Sequence, residues 1–270
     1  MKIYGISVIK NEEDVIEHSL SEASLWCNNI FVLDNGSEDS TWDKVMKLSE
    51  RNNKIVPWQS LRTPFYNGLR AEVYNRFRDI SRKGDWWCIR LDADEFYVDN
   101  PRTFLGGIPP FYHYACKDSV EYRLTFEDVE EYAFSGKFPE DMQFIKYYRP
   151  KTWSEIRFMR YRKHLRWNPE HAFPKNIGVG YPKKIRAEHY PNRSPEQMKK
   201  RLITRLKAKQ TDGFGHIIQT TWEEMLEYRE NLVTKDALGN YQLLGCANKH
   251  LPKPFVQLLK RALYSIRILP

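Results

Sequence analysis

Short apolar runs alternate with amphipathic stretches through the first hundred residues, and this alternation limits the fold more than any other feature. The apolar runs predict strands, and the stretches between them, with apolar residues at helical spacing, predict helices. The predicted strands cover 3–9, 30–33, 54–58 and 86–91, and the predicted helices cover 14–25, 41–50 and 69–82. Because strands separated by helices form parallel sheets covered on both faces, we expect an α/β protein with a Rossmann-like, mostly parallel central sheet.

A polar cluster follows three of the predicted strands. The clusters are Lys-Asn-Glu at 10–12, Asp-Asn-Gly-Ser at 34–37 and Asp-Ala-Asp-Glu at 92–95. The carboxyl ends of parallel strands meet at one edge of a sheet, and ligands of open α/β sheets bind there. We therefore expect the three clusters to form one site.

Beyond residue 100 the alternation weakens. Ser194 and Pro195 predict the start of a helix that runs to about Lys209, because Ser caps the first turn and Pro suits its first position. Thr221 predicts a further helix by the same reasoning. The expected organisation is one catalytic domain over 1–210, with a first half (1–100) and a second half (101–210), and a helical extension over 211–270.

Charge and cysteine content bear on partners and compartment. Residues 1–100 carry 13 Lys and Arg against 17 Asp and Glu, so the net charge of +8 arises in residues 101–270. The acidic half suits a metal, and the basic half suits an anionic partner such as nucleic acid, a membrane surface or a lipid-linked acceptor. The four widely spaced cysteines predict free thiols. Without an apolar run of about 18 residues or a signal-peptide pattern, we expect a cytoplasmic protein.

The acidic triplet Asp92, Asp94 and Glu95 is the strongest indication of chemistry. Three carboxylates within one short segment repel one another at the end of a buried strand unless a cation holds them. Mg²⁺ and Mn²⁺ prefer oxygen ligands and keep coordination positions for phosphate. The triplet therefore predicts a divalent metal site, in preference to a solvated acidic turn.

Three motifs in this order resemble those of family 2 glycosyltransferases, which have the GT-A fold. They are Lys-Asn-Glu at 10–12, Asp-Asn-Gly-Ser-x-Asp-x-Thr at 34–41 and Asp-x-Asp-Glu-Phe at 92–96. The resemblance is closest to a bacterial branch, and it covers 1–100 well and 101–200 loosely. It implies transfer of a sugar from a nucleoside-diphosphate-sugar to an acceptor hydroxyl with inversion, in bacterial surface polysaccharide or glycolipid synthesis, with Mn²⁺ or Mg²⁺ as cofactor.

The resemblance also implies which residues contact the nucleotide. The loop after the first strand would surround the base and ribose with Ile9, Lys10, Asn11 and Glu12. Asp34, followed by Asn35 and Gly36, would accept a hydrogen bond from the base imide, which implies a UDP or dTDP carrier; alone, Asp34 suits an Asx-turn equally well. Asp92 and Ala93 would lie near ribose or sugar hydroxyls. Arg70, Asn75 and Arg76 would touch the nucleotide, although they also suit a solvated basic face.

The metal and the catalytic base are implied in the same way. Asp94 would hold the metal that bridges the diphosphate, and His189 would add a nitrogen ligand, which favours Mn²⁺. Glu95 would orient its neighbours. A carboxylate would deprotonate the acceptor hydroxyl, and the residues leave three candidates open for this base: Asp128, Glu155 and Glu188.

Two other functions remain open. Arg, Lys and aromatic residues interleave over 145–166 and 183–209, which suits a non-catalytic RNA-binding protein but leaves the acidic triplet unexplained. A sugar-phosphate nucleotidyltransferase would share the sheet and Mg²⁺, but it needs a glycine-rich phosphate loop that the sequence lacks near its first strand. We expect a nucleotide-sugar donor and a glycan or lipid-linked acceptor as partners, and no nucleic acid.

Residues 253–269 predict a basic amphipathic helix. Its apolar residues at helical spacing are Phe255, Leu258, Leu259, Ala262, Ile266 and Leu269, and its cations are Lys253, Lys260, Arg261 and Arg267. Such a helix either packs on the protein's own core or lies on an anionic membrane. The second interpretation predicts peripheral association with the inner face of the cell membrane, where lipid-linked acceptors are found.

Overall fold

The first hundred residues form the predicted alternation of strands and helices in the computed structural model, which describes residues 1–209, 220–247 and 254–265. The elements are β1 (Ile3–Ile9), α1 (Ile16–Trp26), β2 (Asn29–Asp34), α2 (Thr41–Arg51), β3 (Ile55–Ser60), α3 (Leu69–Phe77) and β4 (Trp86–Cys88). The α/β class expected from the sequence is confirmed.

The remaining elements vary more in length and do not alternate regularly. They are β5 (Glu95–Tyr97), α4 (Pro101–Gly106), β6 (Tyr114–Arg123), α5 (Phe126–Glu131), α6 (Phe138–Asp141), β7 (Tyr147–Tyr148), β8 (Trp153–Arg160), β9 (Ile185–His189), α7 (Pro195–Lys209) and α8 (Pro254–Ser265). The helix predicted from Ser194 to Lys209 is α7, and the described part of the C-terminal amphipathic helix is α8.

The strands form one sheet in the order β3-β2-β1-β4-β8-β6-β9-β5, with β7 paired to β6. The first four strands in this order are parallel, as expected. Strand β8 runs antiparallel to both β4 and β6, and β5 runs antiparallel to β9, whereas β6 and β9 are parallel. The first half of the chain therefore forms a parallel sheet, and the second half is mixed.

Helices and loops cover both faces of the sheet. The consecutive residues Trp86 and Trp87 of β4 point to opposite faces, and each is fully buried in a different hydrophobic cluster. Strand β1 is likewise buried on both faces, which explains why it reads as one continuous apolar run. The four cysteines are free thiols: Cys27, Cys88 and Cys116 are buried, and Cys246 is half-buried.

The segment after α7 departs from the sequence prediction. The helix predicted from Thr221 is wrong: only a 3-10 turn, Glu223–Met225, forms there. The Glu224 carboxylate accepts a hydrogen bond from the Thr220 N–H, but no side chain caps the turn. The chain then becomes extended, because Glu227 pairs with the backbone at Thr125 beside the end of β6. Among the described residues, none of the helices is both long and apolar enough to cross a lipid bilayer.

Candidate active site

The ends of β1 and β2 and one side of α7 enclose a cavity of about 620 Å³. Six residues predicted to contact the nucleotide line it: Ile9, Lys10, Asn11, Glu12, Asn35 and Gly36. Helix α7 contributes Arg201, Thr204, Arg205 and Lys207. The sequence did not predict this contribution, although the spacing of Arg201 and Arg205 places both on one side of a helix.

Asn11 connects the three walls of the cavity. Its backbone N–H donates to Ser37 Oγ, its side-chain Oδ1 accepts from the Glu38 N–H at 2.8 Å, and its Nδ2 donates to Thr204 Oγ1 at 2.9 Å. Its φ of 55° lies in the left-handed region, which Asn tolerates better than most residues. This position therefore requires both the backbone tolerance and the amide of Asn.

Asp34 forms an Asx-turn at the end of β2. It is 1% exposed. One carboxylate oxygen accepts from Ser60 Oγ at 2.6 Å, and the carboxylate also accepts from the N–H and hydroxyl of Ser37. Asn35 and Gly36, rather than Asp34, face the cavity. Asp34 is therefore buried behind the lining of the cavity, where its hydrogen bonds stabilise the turn.

Positive charge dominates the cavity wall. Its lining includes five cations, Lys10, Arg62, Arg201, Arg205 and Lys207, and two carboxylates, Glu12 and Glu38. Burial, followed by the nearby charge of Arg201, lowers the pKa of Arg205 to about 10. Arg205 stays protonated at neutral pH, and a bound anion would stabilise its charge. The cavity therefore favours an anionic ligand.

The two predicted metal ligands lie side by side next to this cavity. Strand β5 pairs Glu95 with His189 of β9, which brings His189 Nε2 to 3.2 Å from Asp94 Oδ2. Arg201 Nη1, on the cavity wall, is 3.5 Å from the same oxygen. Burial opposes protonation of His189, but Asp94 and then Glu121 raise its pKa to about 9. At neutral pH the protonated imidazole of His189 therefore donates a hydrogen bond to the Asp94 carboxylate.

Asp94 and His189 fit a divalent metal by their chemistry. A carboxylate oxygen of Asp94 and an imidazole nitrogen of His189 lie 3.2 Å apart, and such an oxygen and nitrogen pair suits Mn²⁺. A metal there would replace the proton that the two side chains share. Glu121, which the sequence did not predict, lies behind His189, with its Oε2 3.6 Å from Nδ1, where a carboxylate orients a metal-binding imidazole.

A second acidic cluster contains Asp92, Glu95 and Glu155. Their oxygens lie within 4.8 Å of one another, so the cluster could hold a metal. However, the fully buried Arg157 contacts all three, at 3.1 Å, 2.9 Å and 2.6 Å respectively. Further cations reach them from Arg70, Arg90 and Lys117. With this neutralisation, the cluster needs no metal to be stable.

Several predicted nucleotide contacts are used within the protein instead. Arg70 donates to Asp92 at 3.0 Å, so both are engaged in the ion network. Ala93 is packed in the hydrophobic core. Asn75 donates to the Trp167 carbonyl, which fixes the following loop. Arg76 is exposed and lies over the Phe77 ring, as a solvated basic face would require.

The three candidate bases all have partners, and none of the three lines the cavity. Asp128 is fully buried in a capping box with Thr125 and pairs with Arg229. Glu188 accepts hydrogen bonds from the hydroxyls of three tyrosines and from Lys235. Glu155 lies beside Asp92, where burial is outweighed by Arg157, Lys117 and Arg90, which lower its pKa and weaken it as a base.

Some arginines of the basic sequence that suggested RNA binding have roles in the fold. Arg157 and Arg193 are fully buried in ion pairs. The half-buried Arg160 lies 4.3 Å over the Trp86 ring and donates to backbone carbonyls. These three cations stabilise the fold, whereas other cations of the two ranges, such as Lys151 and Lys183, are exposed.

Comparison with known proteins gives a distant likeness. No protein-family model and no curated protein matches the sequence. Among solved structures, the chain is similar to a mannosyltransferase, PcManGT from Pyrobaculum calidifontis, in complex with GDP-Man and Mn²⁺. The two are 15% identical with a TM-score of 0.32, over 46% of this chain and 35% of that chain. The matched region thus spans about a third of that protein's length.

Proposed function

We propose that this protein is a metal-dependent glycosyltransferase of the GT-A type, related to family 2, that uses a nucleoside-diphosphate-sugar. One observation carries the proposal. The polar ends of β1 and β2 and the cations of α7 line one cavity, and Arg201 of this lining contacts Asp94, which pairs with His189 beside the cavity. A volume of about 620 Å³ is within the usual range for small-ligand sites.

The charges suit a diphosphate. Arg201 and Arg205 lie one helical turn apart and would contact the two phosphates, while Asp94 and His189 would hold Mn²⁺ or Mg²⁺ beside them. The metal would supply Lewis-acid stabilisation of the departing diphosphate. The protein's own contribution is to fix cations where negative charge develops as the sugar leaves.

The acceptor is proposed to be a glycan or a lipid-linked glycan, in bacterial surface polysaccharide or glycolipid synthesis. Its hydroxyl would attack the anomeric carbon from the side opposite the diphosphate, inverting configuration, while a carboxylate takes its proton. Among the three candidate bases, Glu155 is the one beside a residue of the acidic triplet, Asp92, but to act as the base it would have to leave Arg157, Lys117 and Arg90, which lower its pKa. Asp128 and Glu188 are held by partners that their roles in the fold require.

We also propose a UDP or dTDP carrier, and this part of the proposal requires that Asp34 contact the base. The Asp34 carboxylate would have to exchange the Ser37 or Ser60 hydroxyl for the imide N–H of uracil or thymine. If Asp34 keeps its hydrogen bonds to both serines, the backbone around Asn35 and Gly36 would contact the base, and the preference for a pyrimidine would be weak.

A thermal-shift comparison tests the proposal. We expect UDP or dTDP with Mn²⁺ to raise the melting temperature more than GDP or ADP does, and EDTA to remove most of this shift. Arg205→Glu should abolish it by repelling the diphosphate. Lys47→Glu is the matched control, because Lys47 is exposed on α2 and outside the cavity. If no nucleoside diphosphate shifts the wild type, or if both variants respond alike, the proposed site is wrong.

A further inference from the structure

Helix α8 is attached to the protein through its polar side. The Gln257 side-chain oxygen accepts a hydrogen bond from the Gly180 N–H at 2.8 Å. The Tyr264 hydroxyl accepts one from Arg162 at 3.1 Å. Two turns of the helix separate Gln257 from Tyr264, so the contacts lie on one side of α8 and define its orientation.

Aromatic contacts strengthen the same side. The Tyr264 ring lies 4.6 Å from that of His113, which precedes β6. Arg261 lies between Gln257 and Tyr264 on the helix surface, and its guanidinium is 4.8 Å from the Phe111 ring. Polar and aromatic groups therefore make the described contacts between α8 and the sheet.

The apolar stripe of α8 faces the opposite way. Phe255, Leu258, Leu259 and Ala262 follow the spacing i, i+3, i+4 and i+7, which places them on one side of a helix. Phe255 is 76% exposed and Leu258 is 66% exposed. A helix docked on its own core buries this stripe, so the described part of α8 contradicts that interpretation. Ile266 and Leu269, which would extend the stripe, lie outside the described residues.

We propose that this apolar stripe binds an anionic membrane surface. Residues 237–270 contain five Lys and Arg residues and no Asp or Glu, so this whole segment is attracted to negative charge. A helix parallel to a membrane buries apolar side chains between the headgroups while cations beside them contact anionic lipids. A second copy of the chain docked on the same stripe would instead bring two of these cationic segments together.

The membrane surface and the nucleotide cavity lie at opposite ends of β6. This strand begins at Tyr114, next to the docked face of α8, and reaches Glu121 beside His189. Seven residues of strand separate these ends by about 23 Å. Membrane binding therefore does not depend on the proposed glycosyltransferase function, and the two can be measured separately in one protein.

Sedimentation with lipid vesicles tests the proposal on the full chain. We expect binding to vesicles of phosphatidylcholine with about 30% phosphatidylglycerol, and much weaker binding to phosphatidylcholine alone. The double variant Leu258→Glu/Leu259→Glu should reduce the bound fraction at least about tenfold, because it replaces apolar contact with repelling charge. Leu25→Glu is the matched control, since Leu25 is 71% exposed on α1, outside the segment 237–270, and it should bind like the wild type.

Folding and assembly measurements decide between the remaining outcomes. The double variant should keep the melting temperature of the wild type, because the substituted side chains are already exposed. Unfolding of this variant would show that the stripe is buried within the protein and would overturn the proposal. The proposal would also be overturned by equal binding to neutral vesicles, or by the absence of binding by the wild type. A dimer of the wild type that dissociates in the double variant would overturn it as well.

Discussion

Replacing Arg193 is the perturbation whose effect follows most directly from the structure. Arg193 precedes α7, is 1% exposed, and connects this helix to the loop after β1. Its guanidinium contacts Asp14 at 2.6 and 2.9 Å and Glu12 at 2.5 Å. In Arg193→Met, both carboxylates would lose their buried partner.

The expected loss of stability is large. Removing one partner of a buried ion pair costs about 3–5 kcal/mol, because the remaining charge is left without compensation. Arg193 has two such partners, so we expect the free energy of unfolding to fall by at least this amount. Arg193→Lys should recover only part of it, since an ammonium cannot make the two parallel contacts with Asp14.

The pH dependence gives a further check on the magnitude. Burial raises the pKa of Glu12 to about 7, despite the opposing attraction of Arg193. Because this pKa lies above the value in the unfolded chain, Glu12 reduces stability as pH rises toward 7. Without Arg193 the pKa rises further, so the deficit of Arg193→Met should be greater at pH 8 than at pH 5.5.

Urea unfolding of the wild type and of three variants, Arg193→Met, Arg193→Lys and Lys200→Met, measures these effects. Lys200→Met is the control, because Lys200 also pairs with a glutamate of the same loop, Glu13, but is half-exposed. Exposed pairs contribute about 0–1 kcal/mol, so this variant should remain close to the wild type. A loss below about 1 kcal/mol in Arg193→Met would show that water screens its carboxylates, and the account of how α7 is held would be wrong.

Two further variants test the roles assigned to Asn11 and Asp128. Asn11→Ala and Asn11→Gly both remove the side-chain hydrogen bonds, but only Ala is strained at positive φ, so urea unfolding should find Ala less stable than Gly by about 1 kcal/mol; equal stability would contradict the assigned backbone strain. Asp128→Asn should lose about 1–2 kcal/mol through the weakened capping box and its Arg229 pair, yet keep the wild-type transfer rate. A transfer rate reduced a hundredfold at full stability would instead identify Asp128 as the base.

The sequence was informative where local pattern and topology agree. Three strands of the first half are apolar runs followed by a polar cluster, and the parallel order then brings residues 9–12 and 35–36 together. The proximity of Asp94 and His189 is different. It depends on the pairing of β5 with β9, which joins residues about 95 positions apart, and only the family resemblance suggested it.

The hydrogen bonds and ion pairs that polar residues form in the folded protein explain what the sequence did not reveal. Asp34 and Arg70 have residue types that suit nucleotide binding. In the fold, however, Asp34 accepts a hydrogen bond from Ser60, and Arg70 donates one to Asp92. Arg193 belongs to the range 183–209, whose cations suited RNA binding, but the fold buries it against Asp14 and Glu12. The cap at Thr221 predicted a helix, but the pairing of Glu227 beside β6 ended it after one turn. Each outcome depends on a contact distant in sequence.

Release of nucleoside diphosphate from a panel of nucleotide-sugars tests the central claim most directly. The account predicts release by the wild type with Mn²⁺, loss of release in EDTA after metal-free purification, and loss in Asp94→Asn, while Lys47→Glu behaves as the wild type. Release that continues in EDTA, or that Asp94→Asn retains in full, would contradict a metal held by Asp94 and His189 beside the cationic cavity.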